Sequence, residues 1–193
     1  SKTDTFLVGA GVSTVRRDRR GAWVLSASVV GSPGDVNSRN TDEAFGPVRF
    51  GAKARYLVAN FLAQRAQALP GGWEIGSRAS LQFTSTNLLA NEQLTIGGAH
   101  SVRGYPENTF VGDEGFVFSN ELMSPVRRIP LSLGQKLRPP FDARLIAFFD
   151  TAHVGHKHAI AIDRNMVALA SIGVGVRASL AGRFSLTLDH GRQ

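Results

Sequence analysis

Cysteine is absent from the chain, which excludes disulfides, thiolate catalysis and cysteine metal sites together. Long apolar runs are absent too. No window approaches the roughly 18 consecutive apolar residues that a membrane helix needs, so helical spanning is excluded. That exclusion leaves strands untouched, because a membrane β-strand is only half apolar and a mean hydropathy of -0.06 is compatible with one. No segment reads as an amphipathic helix. Catalytic signatures are missing as well: there is no G-x-S-x-G elbow, no P-loop and no G-x-G-x-x-G after a strand. His100, Ser101 and Asp113 are neighbours in sequence, but proximity alone makes no triad, and the chain is read as a non-enzyme without a cofactor. The opening residues, SKTDTFLVGAG, show no basic stretch followed by an apolar core and a cleavage site, so no export signal is legible there.

What the chain does have is arginine, glycine and alternation. Its 22 Lys+Arg against 15 Asp+Glu give a net charge of +7, which suits nucleic acid, an anionic surface or an arginine-lined lumen. Nucleic acid is set aside because no aromatic platform accompanies the basic faces. Period-two alternation predicts eight strands, at about Thr5 to Val15, Gly21 to Val30, Pro47 to Gln64, Gly72 to Thr84, Gly115 to Ser124, Ala143 to Ala152, Val167 to Leu180 and Arg183 to His190. In the fourth, Trp73, Ile75, Ala79, Leu81 and Phe83 share one face and Glu74, Arg78, Ser80 and Gln82 the other. The same split sets Val48, Phe50, Ala52, Ala54 and Tyr56 against Arg49, Lys53 and Arg55. It also sets Ile172, Val174, Val176 and Ala178 against Gly173, Gly175 and Arg177.

Alternation alone suits a soluble sandwich or a membrane barrel. The connections favour the barrel, since short links (Arg17 to Gly21, Leu69 to Gly72, Ala181 and Gly182) alternate with long ones (Gly31 to Gly46, Asn87 to Glu114, Val154 to Met166). The link from Pro125 to Pro140 is long yet falls among the short ones. With no repeat or low-complexity linker, residues 1 to 193 read as a single domain, with one long loop at about 87 to 114.

That loop is the most informative stretch: EQLTIGGAHSVRGYPENTFVGDEGFVFSNEL, Glu92 to Leu122. Gly97, Gly98 and Gly104 permit positive φ and close approach, while Val102, Arg103 and Tyr105 supply an apolar foot, a fixed charge and an aromatic plate. The residues resemble the VRGY/F hairpin of the two-partner secretion transporters, the haemolysin-activator family of bacterial outer-membrane β-barrels. Leu88 to Glu92 with Ile96 to Tyr105 resembles the family's lead-in to SVRGY. Gly112, Asp113, Gly115, Ser119 and Glu121 resemble its following strand motif, and Phe148 to Ala152, FFDTA, its F-x-D strand. The stretch GVGVRASLAGRFSLTLDHG resembles the penultimate hairpin.

The resemblance implies an all-β, antiparallel up-and-down transmembrane barrel in the outer membrane of a Gram-negative bacterium. It implies a pore that secretes a large haemolysin- or adhesin-type exoprotein without ATP, with that exoprotein and outer-membrane lipid as partners. It further implies that the loop folds into the lumen, with Gly97, Gly98, Ser101, Val102, Arg103, Gly104 and Tyr105 as its motif and Arg103 paired to Asp150 beside Phe148. Strand parity agrees, since Leu145, Ala147 and Phe149 share an apolar face that leaves Asp150 on the other. Glu121, with Ser119 on the inward face, either contacts the loop or is a solvated lumen carboxylate.

Arg49, Lys53, Arg55, Arg78 and Arg177 are expected to form a basic lumen wall. The family's barrel has sixteen strands beside periplasmic recognition domains, and this chain would leave about twelve residues for each strand, too few with loops. A partial barrel of about eight strands, without the terminal strand and without the recognition domains, is therefore expected. A barrel-assembly insertase of the same superfamily and a soluble β-sandwich binding module are the alternatives. His153, His156 and His158 form H-x2-H-x-H in a loop; without a carboxylate or thiol partner they are read as polar rather than metal-binding.

Overall fold

The computed structural model describes residues 2–130, 140–158 and 166–193. Alternating sequence becomes long antiparallel strands. They are β1 (Val8–Asp18), β2 (Gly21–Pro33), β3 (Arg55–Ala68), β4 (Glu74–Thr84), β5 (Leu94–Ile96), β6 (Phe110–Gly112), β7 (Glu114–Met123), β8 (Arg127–Pro130), β9 (Pro140–Gly155), β10 (Met166–Leu180) and β11 (Phe184–Arg192). A single helical turn, α1 (Asp42–Phe45), is capped by the Thr41 hydroxyl, which accepts from the Ala44 amide. The main sheet runs β1-β2-β3-β4-β7-β9-β10-β11, with β8 pairing β9, while β5 and β6 form a separate ribbon inside the long loop. The sheet does not close: β1 and β11 are its edges. This is a partial up-and-down barrel.

Registers define two faces. Gln64, Arg78, Ser119, Asp150 and Ser171 stand opposite one another in one cross-strand row, so their side chains share the inward face. The outward face carries Val12, Leu25, Phe61, Leu81, Leu145, Ile172, Val174 and Leu188, all exposed, with Leu145 at 65% and Leu188 at 64%. Among the described residues no second layer covers this face. A soluble sandwich would bury its apolar face against another sheet, whereas a contiguous bare apolar band belongs against lipid. Among the described residues no helix is long and apolar enough to cross a membrane.

Most buried apolar residues lie instead on the inward side, largely in two clusters made where loops cover the wall. One joins Phe45, Ala52, Ala54, Tyr56, Val58, Leu88 and Leu89 at the long-loop rim. The other joins Ile96 and Val102 of the loop to Val117, Ala152, Val154 and Leu169.

Several boundaries differ from the sequence reading for physical reasons. The third strand begins at Arg55, not near Pro47. Residues 46–54 instead form turns, with Ala52 bridged to Asn87. In β3 the apolar Tyr56 and Val58 face inward, because the first cluster covers them, and Arg55 falls on the opposite side, donating to the Pro33 carbonyl at 2.9 Å. Part of the long link from Pro125 to Pro140 forms β8, which lengthens the β9 hairpin; residues 131–139 lie outside the described residues.

Candidate functional site

One cross-strand row organises the site. Gly76, Glu121, Phe148, Gly173 and Gly191 stand opposite one another on β4, β7, β9, β10 and β11. Most of these residues are small, so the row makes a shallow trough across the inward face. Arg103 and Gly104, at the tip of the long loop, sit over it.

At one end, Arg103 Nε and Nη2 donate to Asp150 Oδ2 and Oδ1 at 2.7 and 2.8 Å, a bidentate fork. The Arg103 backbone amide donates to the same carboxylate at 3.2 Å. Arg103 Nη1 donates to Glu121, and Nη2 reaches the Ser119 hydroxyl at 3.3 Å. Ser119 in turn donates to Asp150 Oδ1 at 2.5 Å. The guanidinium lies 3.6 Å from the centre of the Phe148 ring, a cation–π contact. Asp150 is fully buried, and Arg103 is 7% exposed. Removing one partner from so buried a pair typically costs about 3–5 kcal/mol, because the other charge is left uncompensated.

At the other end the loop meets β11 backbone to backbone. A Cβ on Gly104 would lie 2.9 Å from the Gly191 carbonyl group, and one on Gly191 would lie 2.9 Å from the Arg103 carbonyl group. Gly104 also has φ of 90°, a left-handed conformation that side chains resist. The Gln193 side-chain amide donates to the Gly104 carbonyl at 2.8 Å. Between these ends, Gly173 leaves room for the Phe148 ring on which Arg103 rests.

The remaining motif residues shape the loop. Gly97 and Gly98 take φ of 98° and 100°, and Val102 is fully buried in the second cluster. Tyr105 packs on the edge of that cluster and donates to the Ala170 carbonyl at 3.3 Å. The Ser101 hydroxyl is buried with no partner among the described residues. Gly112 and Gly115 sit where β6 and β7 press on the end of β9: a Cβ at Gly112 would lie 2.7 Å from that of Val154.

A second hub forms around Asp113, also fully buried. It accepts from Arg49, from the Leu88 and Lys157 amides at 3.0 and 3.1 Å and from Gln93 at 3.3 Å. Burial would raise its pKa, but the Arg49 guanidinium and these amides outweigh that and hold the carboxyl below its ordinary value. His156 Nδ1 stands 2.9 Å from Arg49. His153 stacks on Phe116 instead, and the His158 backbone is bonded by Asn87, so the three histidines do not converge.

The five expected lumen cations are therefore differently placed. Arg49 serves the Asp113 hub from a turn, Lys53 pairs with Asp42 at the rim, and Arg55 bonds the Pro33 carbonyl. Arg177 is inward but donates to Asp189 and to Glu121, the latter at 3.3 Å. Arg78 is inward, exposed and without a side-chain bond among the described residues.

Asp189, Gly191 and Gln193 were not anticipated. The available signal was parity: Asp189 is the acidic residue on the face of β11 opposite Leu186 and Leu188. Around the loop arginine, two guanidiniums thus meet three carboxylates, with Arg103 Nη1 also 3.4 Å from Asp189.

An open antiparallel sheet with a bare apolar face, a polar opposite face and a loop laid along that polar face is part of an outer-membrane β-barrel. A family model, described as haemolysin secretion/activation protein ShlB/FhaC/HecB, matches residues 1–178. The chain belongs to this family, whose members are outer-membrane proteins of Gram-negative bacteria acting in two-partner secretion of exoproteins. No curated protein matches the chain. Asp189, Gly191 and Gln193 lie beyond the matched residues.

Proposed function

We propose that the protein passes an unfolded exoprotein of haemolysin or adhesin type through a barrel lumen without ATP, and that residues 87–114 act as a latch inside that lumen. The observation that carries this reading is the docking of Arg103 on Asp150, Glu121 and Phe148 across two neighbouring rows of the inward face. A loop whose tip is held by the charge-assisted bonds of Arg103 and by the close glycine contact of the adjoining Gly104 has a defined closed position. Its release requires no bond-breaking chemistry. The polar inward face offers a passing chain water and hydrogen-bonding groups rather than an adhesive apolar wall. Folding of the cargo outside the cell, with burial of its own apolar surface, supplies the direction.

The test is secretion by an Arg103→Ala variant in cells that make the exoprotein. Export should fall at least tenfold while the amount of transporter in the outer membrane stays close to normal, and Arg103→Lys, keeping charge but not the fork, should fall between. Normal secretion by Arg103→Ala removes the latch from the mechanism.

A further inference from the structure

Charge is segregated along the barrel axis. At the short-turn rim, each carboxylate already holds an arginine: Asp18 with Arg65 at 2.6 Å, Glu74 with Arg144 at 2.7 Å and Asp142 with Arg128 at 2.9 Å. Arg16, Arg17, Arg19, Arg20, Arg127 and Arg183 remain, all exposed, with no guanidinium bonded to a carboxylate among the described residues. The opposite rim is mixed, with Lys2, Arg39 and Arg55 interspersed among Asp4, Asp35, Glu43 and Glu92. The described lysines, Lys2, Lys53 and Lys157, all lie on that mixed rim, so among the described residues the short-turn rim is basic through arginine.

Both tryptophans of the chain, Trp23 and Trp73, lie at the arginine rim, each 41% exposed. Trp23 faces outward with Leu25 and stands between Arg16 and Arg65 in register, with the Arg65 guanidinium 5.2 Å from its ring centre. Arg127 stands opposite Ala143, whose parity is that of outward Leu145.

We propose that this rim is a docking belt for the headgroups of anionic phospholipids in the adjoining leaflet; the proposal rests on the barrel reading above. Tryptophan favours the membrane interface, where one side of the ring is apolar and the other wet. Arginine at the same level presents a planar fork that matches phosphate oxygens, which lysine does not. The outward direction of Trp23, Arg16 and Arg127 places these groups against lipid, away from a chain moving through the lumen. The internal pairing of Asp18, Glu74 and Asp142 leaves no free carboxylate there, among the described residues, to repel a phosphate.

The experiment uses the protein reconstituted in phosphatidylcholine vesicles that contain a minor fraction of brominated lipid, either phosphatidylglycerol or phosphatidylcholine. Bromine quenches tryptophan only in contact, so the fluorescence of Trp23 and Trp73 reports which lipid sits at the belt. Brominated phosphatidylglycerol should be preferred by roughly 5-fold or more, on the order of one arginine's attraction to an anionic surface. High salt should shrink the preference, and a variant with Arg16→Gln, Arg19→Gln, Arg20→Gln and Arg127→Gln, shown to be folded by its heat-dependent gel migration, should abolish it.

Equal quenching by the two lipids overturns the proposal without touching the barrel. A preference that survives in the variant, or that millimolar inorganic phosphate removes, overturns it too, by placing the selectivity elsewhere or in a site for free anions. Absence of quenching by either lipid overturns it together with the barrel reading.

Discussion

At the scale of single residues, the site depends on two different physical limits. Arg103 and Asp150 are charged and buried, so each needs the other, and Asp150→Ala should weaken loop docking by about 3–5 kcal/mol. Glycine sets the second limit. Gly191→Ala places a methyl group 2.9 Å from the Arg103 carbonyl group, and relieving that overlap should cost about 1–3 kcal/mol. Limited trypsin digestion checks both predictions, since an undocked loop exposes the bond after Arg103. A loop as resistant as that of the unmodified protein would show that the trough does not hold it. Arg103, Asp150, Phe148 and Glu121 were all legible beforehand because short motifs carry them. Gly191 was not, because a glycine near the end of a strand signals nothing until the backbone that approaches it is known.

At the scale of elements, the Asp113 hub joins three rim segments, those of Arg49, Leu88 and Lys157, to the start of β7. Its carboxyl has a pKa below the ordinary value of 3.8 in the folded protein. The stabilisation is therefore complete above that ordinary value and is lost as pH falls through the lower, folded one. Amide exchange at Leu88 and Lys157, corrected for intrinsic rates, should accelerate in acid below pH 3.8 and stay protected above it. In an Asp113→Asn variant the two amides should be weakly protected at every pH. Protection that is independent of pH in the unmodified protein would mean that the hub does not hold the rim.

The turns near Arg49 also show where periodicity misleads. Val48, Phe50, Ala52, Ala54 and Tyr56 alternate like a strand, yet Ala52, Ala54 and Tyr56 are buried in a loop-covered cluster, where apolar spacing reflects packing against Phe45 and Leu88.

At the scale of the whole molecule, the bare apolar face is the dominant fact. Leu145, Ile172, Val174 and Leu188 are exposed side by side on neighbouring strands, and water is a poor solvent for such a band. The protein should therefore stay with the membrane fraction through an alkaline carbonate wash that strips peripheral proteins. Release into the wash would return the soluble sandwich to consideration. The open edges at β1 and β11 add a further demand, since unpaired strand edges seek partners.

The sequence by itself determined the antiparallel strands and the outward and inward faces of β4, β9 and β10, which follow from period-two alternation, a local property. The pairing of Arg103 with Asp150 was implied by the resemblance of short ordered motifs to the family, with strand parity agreeing. Only the tertiary structure decided that Arg103 and Gly104 sit over the row from Glu121 to Gly191, that Asp189 and Glu121 neutralise Arg177, and that Asp113 gathers the outer segments. These depend on the register between strands far apart in sequence, which is fixed when the sheet pairs and not by any one segment.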